Sequence, residues 1–174
     1  MIWFSADHHF AHDEIITYCM RPFRNPAVMH KHMTREHNSL VAPSDDAYFI
    51  GDISMLSKSH RGTIENYIRK FNGRLHLIIG SHDIRDPVFW TEVGFTSVHY
   101  PYLEVEEFVL VHDVAASQVD RTRPFLCGHV HDLFIHQKNV LNVGVDVWDF
   151  KPVSIDQVRE YFRKYMNIKV KGGA

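Results

Sequence analysis

Thiols are scarce in this chain of 174 residues: Cys19 and Cys127 are its two cysteines, far apart and without a C-x-x-C spacing. That excludes a disulfide framework and a thiolate zinc site, and a reducing, cytoplasmic setting is the expectation. Charge of one sign is missing too, since 19 Lys and Arg stand against 21 Asp and Glu. Without a global basic field the chain is not expected to hold long nucleic acid, and any phosphate affinity must be local. No apolar run approaches the length of a membrane span, and residues 1–7 lack the basic and hydrophobic regions of a signal peptide, so no membrane partner is expected. Nine glycines and seven prolines, with no linker and no repeat, exclude collagen-like and solenoid architectures. With 45% of its residues hydrophobic, the chain reads as one domain over 1–174, with an ordered core over 1–168 and a frayed tail over 169–174.

What is abundant is histidine, with 14 residues, and their placement is uneven. Residues 2–4 form a compact apolar strand that runs straight into Asp7-His8-His9. Asp13 is positioned to cap a short helix through Tyr18, and Arg21 to Pro26 breaks it. Val28, Met29, Met33, Leu40 and Val41 then suggest a second helix. Residues 47–50 read as a buried strand ending in Gly51-Asp52. Ile64, Tyr67, Ile68 and Phe71 make a helical stripe, closed by Asn72-Gly73, and residues 75–79 make a strand ending in Gly80-Ser81-His82-Asp83. A helix at 88–93 precedes a β-rich half: residues 97–105, then 108–111 ending in His112-Asp113, then 125–127 ending in Gly128-His129-Val130-His131. Residues 140–145 add a strand, and Ser154 to Gln157 is a capping box that opens a last helix through about Tyr165.

Each motif alone is weak, because a lone histidine more often satisfies a core hydrogen bond than binds metal. Five strand ends that each deliver Asp or His point instead to one joint site. Imidazole and carboxylate without thiolate suit Mn, Fe, Co, Ni or Zn. Asp7, His9, Asp52, His112, His129 and His131 are too many ligands for one tetrahedral ion that keeps a position open, so two ions sharing a carboxylate are the economical reading. Two ions roughly 3.5 to 4 Å apart clamp a phosphoryl group and acidify a bridging water, which makes phosphoester hydrolysis the leading expectation.

The ordered motifs Asp7-His8-His9, Gly51-Asp52, Gly80-Ser81-His82-Asp83, His112 and Gly128-His129-Val130-His131 resemble those of the calcineurin-like metallophosphoesterases: D-x-H, G-D, G-N-H-[DE], H and G-H-x-H. Arg21-Pro22-Phe23, Asn142 to Trp148 and Lys151-Pro152-Val153 further resemble a small bacterial and phage branch of that superfamily. The resemblance implies an α+β, four-layer α/β/β/α sandwich of two mixed sheets, the metallo-dependent phosphatase fold. It implies one ion on Asp7, His9 and His131, a second on His112 and His129, and Asp52 bridging them, with Mn foremost and Fe, Ni, Co or Zn as alternatives. It also implies His82 as proton donor or transition-state stabiliser and Asp83 as the partner that orients the His82 ring. Ser81 stands where the family has a metal-binding asparagine, and its shorter hydroxyl is expected to weaken the second site.

The function expected is therefore hydrolysis of small nucleotide-like phosphoesters, diesters before monoesters, by a metal-bridging hydroxide in a monomer or homodimer. The alternative is a metal-binding or protein-interaction scaffold of the same fold, with Ser81 as its support. Arg21, Arg24, Lys31 and Arg35, in the insert between the first two motifs, are candidates for a phosphate-contacting rim, Arg21 and Arg24 foremost, against a solvated helix face. His8 and His12 are expected to be exposed or to support the ligands rather than to ligate. Cys127 reads as a small buried hydrophobe with no catalytic role. Neither Ser5 nor Ser54 lies in a G-x-S-x-G elbow, which argues against covalent serine catalysis.

Overall fold

The structure, a computed structural model, describes residues 1–116 and 122–171. It is an α+β arrangement of two five-stranded mixed sheets and five α-helices. The first sheet has the order β10-β1-β2-β3-β4, with β1 at Ile2–Ser5, β2 at Asp46–Ile50, β3 at Arg74–Ile78, β4 at Ser97–His99 and β10 at Val153–Ser154. β1 to β4 run parallel and β10 antiparallel. The second has the order β5-β6-β7-β9-β8: β5 at Tyr102–Val105, β6 at Phe108–Val111, β7 at Phe125–Cys127, β8 at His136–Gln137 and β9 at Val140–Asn142. Its centre, β6-β7-β9, is parallel and its two edges are antiparallel.

Alternation along the strands sorts the core into layers. Trp3, Ala47, Phe49, Leu75 and Leu77 face helices α1 (Glu14–Tyr18), α2 (Pro26–Leu40), α3 (Arg61–Ile68) and α4 (Pro87–Val93), which contribute residues such as Ile15, Met33, Ile68 and Trp90. Phe4, Ile50 and Ile78 face the other way and meet Phe108, Leu110, Leu126 and Leu141 of the second sheet. Helix α5 (Ile155–Met166) sends Val158 and Phe162 into this layer between the sheets. On the second sheet's far face Val109, Val111 and Phe125 form a satellite cluster with Val114 and Val140, to which no helix among the described residues adds a side chain. An outer layer there, expected from a four-layer sandwich, is thus not supplied by α5, whose apolar stripe faces inward.

Several local expectations are corrected. The stretch 97–105 is two strands in different sheets, because Pro101 has no N–H to continue a ladder and the chain crosses over at that point. Asp13 makes no side-chain cap, whereas Asn25 Oδ1 accepts from Val28 N–H and Pro26 opens α2. The capping box of Ser154 and Gln157 is formed. In the tail, Val170 packs on the inter-sheet core and Lys171 N–H donates to Glu107, so 169–171 are held; residues 172–174 lie outside the described residues. No helix among the described residues is long and apolar enough to cross a membrane.

Candidate metal centre

The parallel strands β1, β2, β3, β6 and β7 point their carboxyl ends to one edge, where the sheets are stitched by Ala6 pairing with Gly144 and by Val145 N–H donating to the Ala6 carbonyl. Each strand then turns abruptly. Asp7, His9, Asp52, His129 and His131 all have left-handed φ, between 47° and 73°, which Asp and His tolerate better than most residues yet still at a cost of about 1 kcal/mol or more each. The turns pack very closely: a Cβ on Gly51, at φ 81°, would come within 2.5 Å of His112 Nδ1, and a Cβ on Gly80 would collide with Asp52.

Among the described residues, ligand-type atoms gather in three groups whose members lie within 4.8 Å of one another: Asp7, His9 and His131; Asp52, His112 and His129; and Cys19, His131 and Asp146, the last sharing His131 with the first and having its Asp146 carboxylate already engaged by Arg21. The first two groups bring together six of the residues expected from the sequence as ligands, with Asp52 in the second group and Ser81 in neither. Asp52 links the groups, since its Oδ2 lies 3.1 Å from His112 Nε2 and 3.7 Å from His9 Nε2. Ser81 Oγ is 3.3 and 3.4 Å from the two Asp52 oxygens, at the margin of the second group. His82 donates its backbone N–H to Asp52 Oδ1 (2.9 Å), while its half-exposed ring places Nε2 3.9 Å from Asp52 Oδ2.

The residues fit metal ions. Both ring nitrogens of buried His9 lack a hydrogen-bond partner among the described residues, a costly arrangement for an imidazole unless a cation takes one. His112 Nδ1 lies 2.8 Å from the Ile50 carbonyl, which can only accept, so Nδ1 carries the proton and Nε2 faces the site. His131 is fixed likewise by Asp146 Oδ2, 2.9 Å from its Nδ1. Burial raises the Asp7 carboxyl above its ordinary value, against the lowering charges of His112 and His131. Burial also pushes His112 down, but without a metal ion the Asp52 carboxylate 3.1 Å from Nε2 and the nearby Asp7 charge outweigh it and carry His112 to about 9. For Asp52, burial acts upward and loses to the His112 contact, which holds the carboxyl below the usual range. The Asp7 and Asp52 carboxylates both lie against the His112 ring, at 3.9 and 3.1 Å, and two such buried carboxylates call for positive charge.

Three expectations change. Arg21 is no rim residue: its side chain is fully buried, forks onto Asp146 at 2.7 and 2.9 Å, and donates to the carbonyls of Asp7 (2.7 Å) and His8 (3.0 Å). A planar guanidinium inside the first ligand turn positions ligands and cannot meet substrate. Arg24 is exposed but lines a separate groove with Phe23 and Phe150. Asp83 does not orient the His82 ring: it is buried and accepts the backbone N–H groups of Asp52, Ile53 and Gly80 at 2.8 to 2.9 Å, tying the second and third turns together. Burial drives its carboxyl up to about 6, against the lowering donors of Gly80 and Ile53. Asp146, which joins Arg21 to His131, was missed; a carboxylate just after a strand end that delivers Gly144 was its only signal. A fourth expectation changes as well: the His8 ring is neither exposed nor turned to the ligands but packs in the core with Phe10, Phe49 and Phe71, where burial holds its pKa far down. His12 is half-buried and faces Glu14 at 3.0 Å. Cys127 is buried, as expected.

A cleft of about 610 Å³ opens over the first group, lined by His9, His82 and His131 together with His12, Glu14, the largely exposed Tyr18 and the half-exposed Met55.

No family model matches the chain. The uncharacterized protein MJ1445 of Methanocaldococcus jannaschii is 32% identical over 173 residues, covering 94% of this chain and 92% of that protein. The gene 66 protein of Mycobacterium phage L5 is 25% identical over 194 residues, covering 90% and 91%. The crystal structure of AQ665 from Aquifex aeolicus, a protein of unknown function, superposes with a TM-score of 0.72 over 92% of this chain and 98% of that one, at 19% identity, and shares the fold.

Proposed function

The chain belongs to the family of MJ1445, whose name states no activity, so function is read from the site: we propose a divalent-metal-dependent phosphoesterase of the metallo-dependent phosphatase fold, acting on small nucleotide-like phosphodiesters. The observation that carries this reading is the pair of three-residue ligand groups joined through Asp52, with the buried His9 nitrogens partnerless beside it. Asp7, His9 and His131 would hold one ion, and Asp52, His112 and His129 the other, with Ser81 as a weak further donor. This imidazole and carboxylate donor set accepts Mn, Fe, Ni, Co or Zn, and the resemblance to the metallophosphoesterases puts Mn foremost. Two such ions supply Lewis acidity toward a phosphoryl oxygen and lower the pKa of a water.

The protein supplies geometry and a proton. Arg21 and Asp146 hold the Asp7 turn and the His131 ring, and Asp83 locks the Asp52 and Gly80 turns, so the ligands need not reorganise as charge develops. His82, half-exposed beside Asp52 in the cleft, would protonate a leaving alkoxide, a role that would favour diesters over monoesters. The unpaired thiols accord with a cytoplasmic setting.

The test is hydrolysis of an aryl phosphodiester and its monoester by metal-stripped protein titrated with Mn, Ni, Zn and Mg. Metal-dependent turnover of the diester, with Ser81→Asn more active at limiting metal, is the expected result. No turnover in either form with metal bound would point to a scaffold instead.

A further inference from the structure

With Arg21 buried and Arg24, Lys31 and Arg35 lining another groove, the insert offers none of these four cations to substrate at the ligand cluster, yet a different arginine stands there. A small cavity of about 130 Å³ lies beside the second ligand group and is walled by Gly80, Ser81, His112, Arg85 and Tyr100. The guanidinium of Arg85 sits 5.3 Å from the Tyr100 ring centroid, and Nη1 donates to Tyr100 Oη at 3.1 Å. That stacking pre-orients a side chain that is otherwise exposed. No carboxylate among the described residues pairs with Arg85. Its chain neighbour Asp86 is taken by Lys58 at 2.5 Å and by the N–H groups of Val88 and Phe89 at the start of α4. Asp113 also borders the cavity, but its Oδ1 accepts from the Ala115 and Ala116 N–H groups and its Oδ2 lies 3.8 Å from His129 Nε2.

The cavity is small against the roughly 300–1,000 Å³ of sites that take a whole drug-sized molecule, so it suits one compact group. The larger cleft on the His82 side differs: Tyr18 and Met55 offer apolar surface, Glu14 adds a negative charge beside His12, and no Lys or Arg lines it. From this asymmetry we infer that Arg85, oriented by Tyr100, is a subsite for a second phosphate of the substrate. The inference rests on the phosphoesterase reading and refines it. The preferred substrate carries a phosphate next to the reacting phosphoryl group on the Ser81 side and a flat organic group on the Tyr18–Met55 side.

The test uses the full chain, as purified and after metal stripping, titrated calorimetrically with inorganic pyrophosphate and with inorganic phosphate. Arg85→Ala is expected to weaken pyrophosphate binding on the order of tenfold, the loss of one charge-assisted contact at a partly wet site, and phosphate binding by less. Arg85→Lys restores part of the loss, and Arg24→Ala leaves both affinities unchanged. Unfolding temperature and Mn stoichiometry in Arg85→Ala stay at wild-type values, which separates a binding role from a structural one. Equal pyrophosphate affinity in wild type and Arg85→Ala, or no pyrophosphate binding by wild type, overturns the subsite while leaving metal-dependent diester hydrolysis intact. Arg85-dependent binding in a protein that hydrolyses nothing overturns the phosphoesterase reading instead.

Discussion

Replacing Arg21 with methionine separates a positioning arginine from a substrate-binding one. The side chains of Arg21 and Asp146 are 0% and 3% exposed, and the guanidinium donates to four oxygens and to Met29 Sδ. Methionine keeps much of the aliphatic bulk but strands a buried Asp146 carboxylate and the Asp7 and His8 carbonyls. Breaking a buried ion pair from one side costs about 3–5 kcal/mol. At about 2–4 °C per kcal/mol for a domain of this size, the midpoint of thermal unfolding should fall by about 6–20 °C in metal-free protein. Asp146→Leu added to Arg21→Met removes the stranded charge and should recover part of the loss, a coupling a double-mutant cycle reads directly. Since His131 Nδ1 leans on Asp146, Mn affinity should also drop, by about 10- to 100-fold. An unfolding midpoint within about 2 °C of wild type, with only KM for a phosphoester raised, would refute the positioning role and restore Arg21 to the substrate rim.

Asp83→Ala leaves the Asp52, Ile53 and Gly80 N–H groups buried without an acceptor and should destabilise metal-free protein by about 2–4 kcal/mol in urea titration. A residue that merely steadied the His82 ring would leave that stability untouched. Gly80→Ala drives a methyl into Asp52 and should cost metal binding in calorimetry at both groups, because Asp52 joins them. Burial depresses both His30 and His37 to about 4 from an ordinary 6.5. The unfolded chain therefore binds more protons between those values, and stability falls as pH is lowered from about 6.5 to about 4. Unfolding midpoints measured across that window should decline, and the decline should shrink in His37→Gln; an unchanged slope would contradict this.

The site was more legible than its supports. Asp7, Asp52, His112 and His129 each follow a short apolar strand at once, so local pattern and chemistry coincide, and the structure brings them together with His9 and His131. The roles of Arg21 and Asp83 depend on contacts made only after folding. Arg21 meets Asp146 across 125 positions and Asp83 meets the Asp52 turn across 31, distances at which no periodicity speaks. The same holds for Arg85, whose relation to Tyr100 arises because the chain changes sheets after β4. Pro101 marked that crossing, but alternating apolar residues on both sides made it read as one strand.

The measurement that bears most directly on the two-group centre is turnover of an aryl phosphodiester followed against the number of Mn ions bound per chain. The account predicts little activity at one equivalent, a rise between one and two, and a plateau at two that His112→Ala abolishes. Full activity at one equivalent or without metal, or two bound ions and no turnover, would contradict it.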